Sequence, residues 1–152
     1  MKKIISIFLI FFLTSCGYTS VYKNQESKNF RISIENMVGD KSINRIIEKK
    51  MKRYSFADSN RVYLIDVNSN FSRKVVSKNK TGRATNVNLS TEVQFNIKID
   101  NRVQNYSFQE SLNIENSTDI YEQNKYENSI KENFVSTIIG KLFLELSALK
   151  WF

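Results

Sequence analysis

The chain has one cysteine, Cys16, and no histidine, and these two facts limit its chemistry before any fold is considered. A serine or cysteine nucleophile usually takes its activating base from an imidazole, and none exists here. A single thiol forms neither an internal disulfide nor a thiolate metal cluster. Among the acids, Glu110 interrupts an otherwise apolar face, but no second carboxylate stands at a defined spacing from it. Paired acid–base work therefore has no candidate, and no catalytic, metal or cofactor-binding residue is assigned; Glu110 reads as a structural residue at a bulge or a sheet edge. The basic side chains are more suggestive. Arg73, Lys74, Lys78, Lys80 and Arg83 crowd around Gly82, and guanidinium and ammonium groups in such a cluster suit phosphates. The same five also fit a solvated basic loop.

Cys16 stands at the end of an apolar run. Lys2 and Lys3 precede "IISIFLIFFL" at 4–13, the pattern of a secretory signal. A run of ten residues is too short to span a bilayer, which needs about 20. Leu13-Thr14-Ser15-Cys16 resembles the bacterial lipobox, in which the thiol is alkylated by a diacylglycerol, the chain is cut before the cysteine, and the new amino group is acylated. On this reading residues 1–15 are the signal peptide, Cys16 is the lipidation site, and 16–28 form a tether. Two or three acyl chains hold a protein at a membrane stably where one is marginal. Gly17 after the cysteine, where Asp is absent, resembles the outer-membrane sorting pattern.

Charge is consistent with that compartment. The chain carries 23 basic and 15 acidic side chains, a net of +8. Nucleic acid is the usual partner of a basic domain, but an exported one meets lipid headgroups and lipopolysaccharide phosphates instead, so no nucleic-acid partner is expected.

The elements that must position these residues follow from periodicity. "FRISIENM" at 30–37 alternates as a half-buried strand, and Gly39-Asp40 ends it. Ile43, Ile46, Ile47, Met51 and Tyr54 then recur at helical spacing, with Lys41, Arg45, Lys49 and Lys52 on another face. A second strand runs from Arg61 to Phe71. A third, 87–99, alternates Val87, Leu89, Val93, Phe95, Ile97 and Ile99 with polar residues over about 43 Å. "DNR" at 100–102 turns the chain into a fourth strand carrying Tyr106, Phe108, Leu112 and Ile114. Ser117-Thr118-Asp119 offers a cap for a long helix over 119–149, whose apolar stripe is wide. Its surplus, with Trp151 and Phe152, fits the core, a partner or the membrane interface equally well. The expected fold is a single α+β domain, 29–152, in the order β-α-β-β-β-α: a two-layer sandwich of a four-stranded, mostly antiparallel sheet with two helices on one face.

"CGYTSVY" at 16–22 resembles the "CG(F/Y)xPLY" opening of the LPS-assembly lipoprotein LptE family, with Ser20 in place of the usual proline. The element order and the long strand introduced by "TGRATNVNLSTEVQFNI" are similar to that family's domain. The resemblance implies a non-enzymatic role: an outer-membrane lipoprotein on the periplasmic side, lipid-anchored, that plugs and helps assemble the LptD β-barrel and assists lipopolysaccharide transport to the cell surface. It implies two partners beside the membrane, an LptD-type barrel and lipopolysaccharide; the clustered charge of Arg73, Lys74, Lys78, Lys80 and Arg83 is where the phosphates of the latter would be met. Polar outward residues such as Asn86, Asn88, Ser90, Gln94 and Asn96 would then face the barrel wall. An adaptor lipoprotein of another envelope machine is the alternative.

Overall fold

A computed structural model describes residues 31–55, 62–99 and 102–148. Cys16, the residues around it, the first two residues of the 100–102 turn, Trp151 and Phe152 lie outside these. The elements are β1 (Arg31–Gly39), α1 (Lys41–Met51) followed by a 3-10 turn (Lys52–Tyr54), β2 (Val62–Lys78), β3 (Ala84–Ile99), β4 (Arg102–Glu115) and α2 (Ile120–Ala148). The expected order β-α-β-β-β-α is the observed one. The sheet runs β1-β2-β3-β4, with β1 parallel to β2 and the other pairs antiparallel.

Strand alternation assigns the two faces. Ile32, Tyr63, Ile65, Val67, Phe95 and Ile97 all point to one side, where α1 supplies Ile43, Ile47 and Met51 and α2 supplies Val135, Ile138 and Leu142. A period of 2 on the strands meets a period near 3.6 on the helices, and both deliver branched aliphatic groups to one layer. The wide stripe of α2 mostly closes this core. Phe143 lies against Tyr54 with ring centroids 4.3 Å apart, leaving Leu144 as its exposed large aliphatic residue in that stretch. Beyond it, Val87, Leu89, Ile114, Ile130 and Phe134 form a second, smaller cluster under α2 alone. Thr91 sits on the same face of β3 between these groups, fully buried, and its hydroxyl has no hydrogen-bond partner among the described residues.

The crossover from β1 into α1 depends on one close approach. Gly39 has φ +99°, and a Cβ there would lie 1.8 Å from the carbonyl oxygen of Ser69. The bare backbone lets Asp40 N–H donate to that same oxygen at 3.0 Å. The Asp40 carboxylate accepts from Ile43 N–H at 2.9 Å, capping α1. Ser69 Oγ donates to Asn44 Oδ1 at 2.7 Å, which ties the helix's first turn to β2.

Strand β2 is longer than its apolar alternation predicts, extending seven residues past Phe71 to Lys78. The ladder with β3 continues through Ser72–Ser90, Arg73–Leu89 and Val75–Val87, with irregularities after Val75. The alternation disappears because Arg73 takes the inward position that an aliphatic side chain would fill. Glu110 lies on the edge strand, as one of its two sequence readings has it, and not at a bulge, since the β3–β4 ladder is regular. Its carboxylate is bridged by Lys141 Nζ at 2.5 Å.

Candidate functional site

Two surfaces left uncovered by the helices are the candidates: the open face of the sheet and the far end of the β2–β3 hairpin. The open face follows from the polar half of the alternation. Asn68, Asn70 and Ser72 on β2, Asn86, Asn88, Ser90, Gln94 and Asn96 on β3, and Asn105, Ser107, Gln109 and Ser111 on β4 stand side by side in register. Several cross-link: Asn88 donates to Asn113 at 2.7 Å, and Gln109 donates to Ser90 at 3.1 Å. Charge on this face is largely cancelled. Lys98 bridges Glu35 at 3.1 Å and Asp66 at 3.2 Å, while Asn36 donates to Asp66 at 2.8 Å. The Asn36 hydrogen bond and Lys98 hold the Asp66 carboxyl below the usual carboxylate range, and the two carboxylates raise the Lys98 ammonium. What remains, apart from Lys74 and Glu92, is a hydrated plane of amides and hydroxyls. A shallow depression of about 230 Å³ in it is lined by residues including Lys74, Asn88, Glu92 and Gln109. Such a plane presents donors and acceptors together, suited to a wet polar partner.

At the hairpin end a single asparagine organises the turn. Asn79 Oδ1 accepts from Thr81 N–H, Thr81 Oγ1 and Arg83 N–H, at 3.0, 2.7 and 2.9 Å. Asn79 N–H donates to the Arg83 carbonyl and Gly82 N–H to the Asn79 carbonyl, with Gly82 at φ +81°. Lys78, Lys80 and Arg83 are exposed there, beside the exposed Val75 and Val76.

The five basic residues singled out from the sequence are thus distributed over three places. Lys78, Lys80 and Arg83 share the tip, Lys74 lies on the open face, and Arg73 turns inward to α2. Arg73 Nε donates to Glu127 Oε1 at 2.9 Å, its Nη2 donates to Asn116 Oδ1, and Gln123 Nε2 donates to Glu127 at 2.8 Å. Burial pushes the Glu127 carboxyl up, but the hydrogen bonds from Gln123 and Arg73 outweigh it and the net displacement is downward. Sequence reasoning had no means to single out this network: Arg73 and Glu127 are 54 residues apart, and neither stands in a local motif. The Asn79 bracket was more accessible, because Asn followed three residues later by Gly is ordinary turn chemistry.

No family model matches the sequence, and no curated protein matches it. Solved structures do share the fold. Rare lipoprotein B from Shewanella oneidensis is similar at TM-score 0.56 and 11% identity, over 77% of this chain and 100% of that one. A minor lipoprotein from Acinetobacter baumannii is similar at TM-score 0.57 and 13% identity, over 80% and 93% of the two chains. The class defined at this point is a fold: a helix-covered four-stranded sheet, also adopted by bacterial proteins described as lipoproteins. Among the described residues no helix is long and apolar enough to cross a membrane.

Proposed function

We propose that this chain is a lipid-anchored, non-enzymatic outer-membrane protein that fills an LptD-type β-barrel, helps assemble it, and assists lipopolysaccharide transport. The observation that carries the reading is the joining of two independent features. Leu13-Thr14-Ser15-Cys16 supplies an attachment motif, and the domain behind it has a fold found in solved proteins described as lipoproteins. The open sheet face supports the partner half of the reading. An extended plane of mostly uncharged polar groups suits a polar barrel interior, where hydrogen bonds and trapped water replace bulk hydration. The tip supports the lipopolysaccharide half, since Lys78, Lys80 and Arg83 place cations next to exposed valines, matching phosphates next to acyl chains.

The test is purification in mild detergent through a tag after Phe152, with mass spectrometry of whatever co-purifies stoichiometrically and of the N-terminal peptide. Recovery of an LptD-type barrel, together with acyl mass on Cys16, is the expected result. Recovery of a different envelope machine would transfer the domain to the adaptor role. An unmodified Cys16 thiol would remove the anchor.

A further inference from the structure

The two helices cover the same face of the sheet but differ in how they distribute charge. Helix α2 mixes signs along its length, with Lys125, Lys131 and Lys141 among Glu122, Glu127, Glu132 and Glu145. Helix α1 does not. Lys41, Arg45, Lys49 and Lys52, the last just past its end, are all exposed, and Glu48 is its one acid. At 100° per residue these four cations fall within about a quarter of the helix circumference, on a stripe about 16 Å long. None of the four takes part in an ion pair among the described residues. On α2 and β4, by contrast, Glu127 and Glu110 are each bridged. The opposite face of α1 is fixed by Ile43, Ile47 and Met51 in the core, so the stripe points outward in a set orientation.

The position of the stripe in the fold gives it a partner. Glu48, Lys52 and Ser55 at the end of α1 line one groove with Arg31, Ile32, Ser33 and Ile34 of β1. Helix α1 therefore lies beside the place where the chain enters the sheet. Arg31 stands fifteen positions after Cys16, and a chain of that length reaches at most about 50 Å. A lipid on Cys16 would keep the domain within that reach of the bilayer it is anchored in, where a raised local concentration favours weak contacts.

We infer that the outer face of α1 docks on the anionic phospholipid headgroups of the anchoring leaflet, Lys41, Arg45, Lys49 and Lys52 meeting their phosphates. This rests on the anchor part of the proposed function and is independent of the barrel. In the anchored domain not yet inside a barrel, it sets a preferred side toward the membrane and leaves the polar sheet face free for a later partner.

The experiment is lysine footprinting of the full lipidated protein on liposomes of phosphatidylcholine alone or mixed with phosphatidylglycerol. Lysines are acetylated briefly and quantified by mass spectrometry. On the anionic liposomes Lys41, Lys49 and Lys52 should lose about threefold or more of their reactivity, regaining it at high salt, while Lys125 keeps its own. Charge reversal at two stripe positions, K41E with R45E, should restore the reactivity of Lys49 and Lys52. Equal reactivity on both compositions, or protection of Lys78 and Lys80 at the tip in place of the stripe, would overturn the inference and leave the anchor intact. Failure to float with either kind of liposome would reject the anchor and the docking together.

Discussion

Strands β2 and β3 pass through two regions that are held together differently. Near Arg31 they lie under both helices, in a core that includes Ile43, Ile65, Phe95, Ile138 and Leu142, each essentially without solvent exposure. Toward the hairpin end only α2 covers them, over the small cluster around Leu89 and Ile130, and the polar set Arg73, Glu127, Gln123 and Asn116 completes the contact. The comparison shows that a sheet can outrun its hydrophobic core when a few directed hydrogen bonds take over from packing. Such bonds contribute less per residue than aliphatic burial, so the far region should open first.

The sharpest break should come at the crossover. Gly39→Ala forces a side chain into a positive φ and against the Ser69 carbonyl, and should destabilise the fold by about 3 kcal/mol or more, measured by denaturant unfolding. Leu142→Ala in the main core should cost about 2–5 kcal/mol and lower protection against hydrogen exchange in every strand. Glu127→Gln should cost about 1–2 kcal/mol, with faster exchange confined to the far ends of β2 and β3 and the start of α2. That contribution has a definite pH dependence. The folded carboxyl titrates lower than an unfolded glutamate near pH 4.3, so its stabilisation is present above that pH and is lost as the pH falls through the lower folded value. Acid titration of the wild type and the Gln variant should therefore converge at low pH. Thr91→Val removes a buried hydroxyl with no partner among the described residues and should stabilise by about 1 kcal/mol. Gly140→Ala, at an exposed position inside α2 with open space around it, should add slightly less, about 0.5–1 kcal/mol.

Where burial is apolar and regular, the sequence is readable. The alternation Val93, Phe95, Ile97, Ile99 and the spacing Ile43, Ile47, Met51 each report a face directly, and those elements were expected within a few residues of their observed bounds. The helix cap is also legible, since Asp119 Oδ1 accepts from Tyr121 and Glu122 N–H as a capping residue should. The far half of β2 is not legible. Its inward positions hold Arg73 and the half-exposed Val75, and the partner that makes an inward arginine tolerable lies on α2. Cross-strand register and long-range pairing carry no local signature. For the same reason five basic residues close together in sequence, between 73 and 83, read as one cluster, whereas period-two alternation sends Arg73 and Lys74 to opposite faces.

The hairpin end also behaves as the end of a ruler. Strand β2 runs 17 residues, about 56 Å, from beside Arg31 to the turn, so the separation of Lys80 from that point is set by hydrogen-bond register. Length along this ruler comes in steps. Adding two residues to each of β2 and β3 would advance the turn by about 6.6 Å with every side chain on its present face, whereas adding one would exchange the faces beyond the insertion. How far the three cations of the tip stand from the base of the domain is thus a quantity that sequence can change only in increments of a residue pair.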